Sequence, residues 1–137
     1  MCKDKDKFNT TEVISEVNSW RNKHYEKASK EWAYSGAESK IIVEQYLSMP
    51  ENEDGSIDDY KFLCFNGKFK YLWVDKNRFS NHKRGFWDSN LKFLDGVASD
   101  HPTFKKPPFF SSNIREMIYG AEKWSVGFCF ARGDIYN

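Results

Sequence analysis

Arg132 and Asp134 stand two residues apart in the closing run Gly127-Phe128-Cys129-Phe130-Ala131-Arg132-Gly133-Asp134-Ile135-Tyr136. Side chains at i and i+2 of a strand share a face, so this spacing puts a fixed cation beside a carboxylate. Aspartate is a hard oxygen ligand suited to Mg²⁺, which takes one or two protein carboxylates and completes its shell with phosphate oxygens and water. The guanidinium fork complements a phosphate or a developing oxyanion. The pair therefore has the chemistry of a metal-phosphate site, and also that of a surface ion pair. Asp59 and Lys61 repeat the same spacing. Lys61 could hold a phosphate as a point charge and Asp59 could accept from ribose hydroxyls. As a plain edge pair, the two would instead discourage strand-to-strand aggregation.

A third group is Arg78, His82, Lys83 and Arg84, set beside Phe79, Phe86 and Trp87. Cations interleaved with aromatics can contact anions or stack on a planar base, as in single-strand nucleic-acid binders, or can form a solvated loop. A Cys64–His82 nucleophile pair is set aside, because Cys64 lies in an apolar strand-like run where packing is its expected role. Arg132-Gly133-Asp134 would signal adhesion only on an extracellular loop, and the sequence shows no export signal.

Positioning these groups requires a folded scaffold, and the composition supplies one. Of 137 residues, 39% are hydrophobic, 18% aromatic and 30% charged, which fits one folded domain and not a disordered tail. A formal net charge of +1 excludes a global field that would select nucleic acid or an anionic membrane, so any basic site is local. Three cysteines without C-x-x-C spacing argue against a disulfide framework or a cysteine zinc site and fit a reducing cytoplasm. No apolar stretch reaches membrane-spanning length.

Asn9-Thr10-Thr11-Glu12 predicts the start of an amphipathic helix through Val13, Ile14, Val17, Trp20 and Tyr25 to about Lys30. The β-branched run Lys40–Leu47 predicts a buried strand. Tyr60–Phe65 and Phe69–Val74, joined through Asn66-Gly67-Lys68, predict an antiparallel hairpin. Residues 76–88 are expected to form a basic loop, and Pro102–Pro108 a second irregular connection. Ser112-Asn113 caps a helix through Met117, Ile118, Ala121 and Trp124, with a final strand from Phe128. The order α-β-β-β-α-β predicts an α+β fold: an antiparallel sheet with flanking helices.

The segments Glu31-Trp32-Ala33-Tyr34, Ile42–Leu47, Asp59-Tyr60-Lys61-Phe62-Leu63-Cys64-Phe65-Asn66-Gly67-Lys68, Arg78–Arg84 and Ala131–Tyr136 together resemble, in order, the TupA-like (teichuronopeptide biosynthesis) ATP-grasp family. The D-Y-K-F-x-C-F-N-G-K block is the specific part. The resemblance implies part of an ATP-grasp fold, with ATP and Mg²⁺ as cofactors. It further implies ATP-dependent ligation through an acylphosphate, in cell-surface or capsular polysaccharide biosynthesis. The partners implied are ATP and a carboxylate-bearing, glycan-related acceptor. By the same resemblance, the backbone of Glu44, Gln45, Tyr46 and Leu47 pairs with adenine and Asp59 faces the ribose. Lys61 and some of Arg78, His82, Lys83 and Arg84 face phosphates or the acceptor carboxylate. Arg132 stabilises charge in phosphoryl transfer and Asp134 binds Mg²⁺.

Where the family carries a branched apolar residue between that Arg and Asp, this chain has Gly133, expected to loosen the strand and tilt either side chain. The family's upstream lysine and Gly-rich phosphate loop, and its downstream carboxylate strand, have no counterpart in residues 1–137. The chain is therefore expected to be a single partial ATP-grasp-like domain, the middle of an enzyme, with weak nucleotide affinity by itself. The alternative is a non-catalytic module that binds an anionic glycan, a nucleotide or single-stranded nucleic acid through the basic-aromatic segment.

Overall fold

In the computed structural model, residues 5–21, 36 and 38–136 are described, and the chain divides into two compact units, Met1–Tyr46 and Leu47–Asn137. The first unit contains a short 3₁₀ turn, Lys5–Lys7, and helix α1, Thr10–Arg21. Asn9 caps α1: its Oδ1 accepts from the amides of Thr11 at 3.1 Å and Glu12 at 3.3 Å, satisfying two of the orphan donors at a helix start. Val13 and Val17 form a half-buried i, i+4 stripe, while Ile14 and Trp20 are exposed. The expected continuation to Lys30, and the segment Glu31–Tyr34, lie outside the described residues.

The expected strand at 40–47 does not form. These residues have no strand pairing, and Ile42 and Val43 are 79% and 93% exposed. β-Branched residues favour strands because they fit a half-buried pleated surface, and no described neighbour supplies that surface here.

The second unit is built on a four-stranded antiparallel sheet: β1 (Asp59–Phe65), β2 (Lys68–Lys76), β3 (Lys83–Asp88) and β4 (Phe130–Tyr136), in the order β3-β2-β1-β4. Asn66 and Gly67 link β1 to β2 with φ of 50° and 72°. A two-residue hairpin turn of this kind needs positive φ at both positions, which asparagine tolerates and glycine adopts freely. Strand β3 corrects the expectation of a loop over 76–88. Its residues alternate between the core, reached by Gly85 and Trp87, and a charged face, so its composition disguised its period.

Helix α2, Ile114–Trp124, covers one face of the sheet through Ile114, Met117 and Ala121, at i, i+3 and i+7. Asn113 occupies the N-cap position without a side-chain cap bond. The Ser111 carbonyl accepts from the Ile114 amide at 3.2 Å and its hydroxyl from the Asn113 amide at 3.2 Å. Tyr60, Phe62, Cys64, Phe69, Leu72, Val74, Trp87 and Phe104 complete the core beneath the helix. A side chain such as Phe62, fully buried, contributes about 1.5–3 kcal/mol. Cys64 packs there as expected, and burial pushes its thiol above the usual range. The α+β architecture and the antiparallel sheet are as read from the sequence.

Candidate functional site

The sheet face opposite α2 carries the polar groups. Period-two alternation brings Asp59, Lys61 and Leu63 of β1 to this face, with Tyr71, Trp73 and Asp75 of β2. Arg84, Phe86 and Asp88 of β3 and Arg132, Asp134 and Tyr136 of β4 join them. The two Xaa-x-Xaa pairs of the sequence lie on adjacent strands, where Lys61 and Asp134 are direct register partners.

Lys61 is the centre of the arrangement. Its ammonium contacts Asp59 Oδ2 and lies 3.3 Å from Asp134 Oδ2. Arg132 forks onto the same Asp134, with Nε at 2.8 Å from Oδ1 and Nη2 at 3.2 Å from Oδ2. Arg78 reaches Asp59 Oδ2 at 3.0 Å from the loop after β2. Asp59 is 1% exposed, and its Oδ1 is buried with no hydrogen-bond partner among the described residues. Gly133 does not tilt this pair. It pairs in regular register with Phe62, and Arg132 and Asp134 remain on one face.

A second network surrounds Asp75. Arg84 donates from Nε to Oδ1 at 2.7 Å and from Nη2 to Oδ2 at 3.2 Å, His82 Nε2 lies 2.9 Å from Oδ1, and the Trp73 indole donates to Oδ2 at 3.2 Å. Burial acts to raise the Asp75 pKa, but the hydrogen bonds from Arg84 and His82 outweigh it and hold the carboxyl below its ordinary value. The same bonds, foremost that to Asp75, push the Arg84 guanidinium higher still. Arg84 also binds Asp100 at 2.6 Å, and the His82 ring stacks on His101 with centroids 3.6 Å apart.

The basic group expected to face phosphates is thus divided. Arg78 serves Asp59; His82 and Arg84 serve Asp75; Lys83 is on β3, in register with Lys76. Glu44–Leu47 lie in exposed chain without strand structure, with Tyr46 and Leu47 on either side of the division between the units. Sequence reasoning missed Asp75 and Trp73. Trp73 lies between two guanidinium groups, Arg84 at 5.3 Å and Arg132 at 5.7 Å from its ring centre, in cation–π range. The available signal was the alternation Tyr71, Trp73, Asp75, which matches Asp59, Lys61 and Leu63 once the strands are in register.

Among the described residues, no three His, Cys, Asp or Glu side chains group as a metal cage, and no helix is long and apolar enough to cross a membrane. Asp134 is one-third exposed, and both its oxygens are engaged by Arg132 and Lys61. Chemically the arrangement is an ion cluster in which two cations, Lys61 and Arg132, share one carboxylate.

The family model described as TupA-like ATPgrasp matches residues 1–137, the whole length of the chain. No curated protein and no solved structure matches it.

Proposed function

The chain belongs to the TupA-like ATP-grasp family, and from that premise we propose that its polar sheet face is the nucleotide side of an ATP-dependent carboxylate ligase. The observation that carries this reading is the ion cluster in which Lys61 and Arg132 converge on Asp134. Both cations pair with the one carboxylate in this structure. With Mg²⁺ and ATP present, Asp134 would hold the metal, and Lys61 and Arg132 would be released toward phosphate oxygens. Mg²⁺ fits a site with so few protein carboxylates, because phosphate and water supply its remaining ligands. Its contribution when bound is to neutralise phosphate charge.

The chain's own groups do the rest. Arg132, with its ring partner Trp73 beneath it, keeps its orientation when Asp134 is withdrawn, so its fork is preorganised for charge developing at the transferred phosphoryl group. Lys61 adds a point charge on the adjacent strand, and Asp59, backed by Arg78, fixes the Lys61 ammonium from behind. No protein nucleophile is required: an acceptor carboxylate attacks the γ-phosphorus of ATP with ADP leaving, and an amine or another nucleophile then attacks the acylphosphate carbonyl, taking the acyl group as inorganic phosphate leaves. The acceptor in this reading is glycan-related, and the reaction belongs to cell-surface polysaccharide assembly in the cytoplasm.

The binding-module reading is less favoured, because Arg78, His82 and Arg84 are committed to buried carboxylates and do not form an open basic surface. The test is isothermal titration of ATP with and without Mg²⁺, on wild type and Asp134→Asn. Wild type should bind more tightly with Mg²⁺, and the variant should lose that dependence, weakening about tenfold or more under Mg²⁺. Equal affinities with and without the metal, or an unaffected variant, would remove the assigned role of Asp134.

A further inference from the structure

The Asp75 carboxylate is engaged at both oxygens, by Nε of Arg84 and Nε2 of His82 at Oδ1, and by Nη2 of Arg84 and the Trp73 indole at Oδ2. At 2% exposure it has no surface to offer a ligand. Its effect is directional. Trp73 and Asp75 are two residues apart on β2 and project from the same face, and the indole N–H donates to Oδ2 at 3.2 Å. The outer torsion of an aromatic side chain is broad, so packing alone leaves the ring more than one orientation; a charged acceptor at its single N–H selects one. Phe86, the register partner of Trp73 on β3, meets the ring edge-on with centroids 6.0 Å apart.

The orientation of that ring matters for Arg132. Arg132 starts on β4, in register with Leu63 of β1, and its guanidinium lies 5.7 Å from the centre of the Trp73 ring on β2. Its fork onto Asp134 is the second contact that holds it. When Asp134 turns to a metal ion, the ring face remains. Cation–π attraction requires the cation to stand over the face of the ring, so a rotated indole presents its edge and the attraction is lost. From the opposite side Arg84 lies 5.3 Å from the same ring centre, fixed by Asp75 and, at 2.6 Å, by Asp100. The contacts thus run in series from Asp75 to Trp73 to Arg132.

We infer that Asp75 is a positioning residue for the nucleotide site: by fixing the Trp73 indole through its N–H, it sets the place of the Arg132 guanidinium. The inference rests on the reading of this face as the nucleotide side, and adds to it a buried residue that acts through two others. An Asp75 that only held Arg84 and His82 to the end of the sheet would contribute to stability and leave Arg132 as it is.

Two readouts on the 137-residue chain test this. In the ligand-free protein, the Nε–H magnetic resonance of Arg132, identified by its loss in Arg132→Lys, reports the ring current of Trp73. Asp75→Ala should move it toward the value of a free arginine although Trp73 is retained. The second readout is isothermal titration of ATP with Mg²⁺. Asp75→Ala, and Trp73→Phe, which keeps a ring but removes the N–H, should each raise Kd about threefold or more. The two together should stay within about twofold of the weaker-binding single variant, because both break the same link. Urea unfolding separates the structural part: the cost of Asp75→Ala should persist in the Trp73→Phe background. An Arg132 resonance unmoved by Asp75→Ala, or binding losses that add in full, would overturn the positioning role. A wild type that does not bind Mg²⁺-ATP removes the nucleotide reading instead, and the resonance then decides whether Asp75 positions Arg132. If Asp75→Ala does not fold, Asp75→Asn, which replaces one acceptor oxygen by a donor, is judged by the same criteria.

Discussion

Asp59 and Asp75 are direct register partners on β1 and β2, and both carboxylates are almost fully buried, at 1% and 2% exposure. Like charges placed opposite one another destabilise a ladder, and buried charges need partners. Each therefore has its own cations, Lys61 and Arg78 for Asp59, and Arg84 and His82 for Asp75. This end of the sheet is held by a polar network where the other face is held by packing, and it should respond to acid accordingly.

Asp75 carries the clearest pH signature. Its carboxyl is depressed in the folded chain, so its stabilising contribution is fully present above the unfolded carboxylate value of about 3.9 and is lost as pH falls through the folded value. Urea unfolding between pH 7 and pH 3 should show an acid loss of stability that is smaller in Asp75→Asn. An identical acid slope in the variant would assign the effect to other carboxylates.

Gly85 is required for space. A Cβ there would lie 2.6 Å from one ring atom of Phe104, and 2.8 Å from another and from the Trp87 ring, all in the buried core. Gly85→Ala should destabilise the chain by about 1–3 kcal/mol through overpacking. A denaturant midpoint equal to wild type would show that Phe104 has room to withdraw.

Gly133 should behave in the opposite way. Its Cβ position is 3.8 Å from the Ala121 Cβ of α2, an ordinary contact, and its backbone is regular. Gly133→Ala should be neutral or stabilising by up to about 1 kcal/mol, since glycine weakens a strand interior. A loss above about 1 kcal/mol in thermal unfolding would mean that α2 cannot accept the added methyl.

Trp73 should act on nucleotide binding through Arg132. Trp73→Leu removes the aromatic face and should weaken Mg²⁺-ATP binding by about 0.5–2 kcal/mol, with Trp73→Phe intermediate. In an Arg132→Leu background the same change should cost little, which a double-mutant cycle reads directly. An undiminished loss in that background would show that Trp73 acts through Arg84 or Asp75 instead.

How far the sequence reached can be seen at individual positions. Asn66-Gly67 specified the hairpin, because few residue pairs accept positive φ at two consecutive positions. The period-two spacing of Asp59/Lys61 and Arg132/Asp134 placed each pair on one face, since alternation is a local property of extended chain. The run 40–47 misled, because strand propensity without a pairing partner does not make a strand. Strand β3 stayed hidden because its open face is charged and its core position 85 is a glycine, which carries no apolar signal.

What the tertiary structure alone decided is the register. Counted outward from the Asn66-Gly67 turn, unbroken pairing would set Asp59 opposite Val74 and would turn Leu72 and Val74 toward the charged face. An irregularity between Leu63 and Cys64, where the β2 partner passes from Tyr71 to Phe69, moves the ladder by one residue. Leu72 and Val74 thereby enter the core, and Trp73 and Asp75 join Lys61 and Asp59. The Glu122 carboxylate of α2 accepts from the Phe69 amide at 3.1 Å beside this irregularity. The local sequence fixes which residues alternate, but a one-residue slip exchanges the faces, and only the packing of Leu72 and Val74 in the core beneath α2 determines which slip is taken.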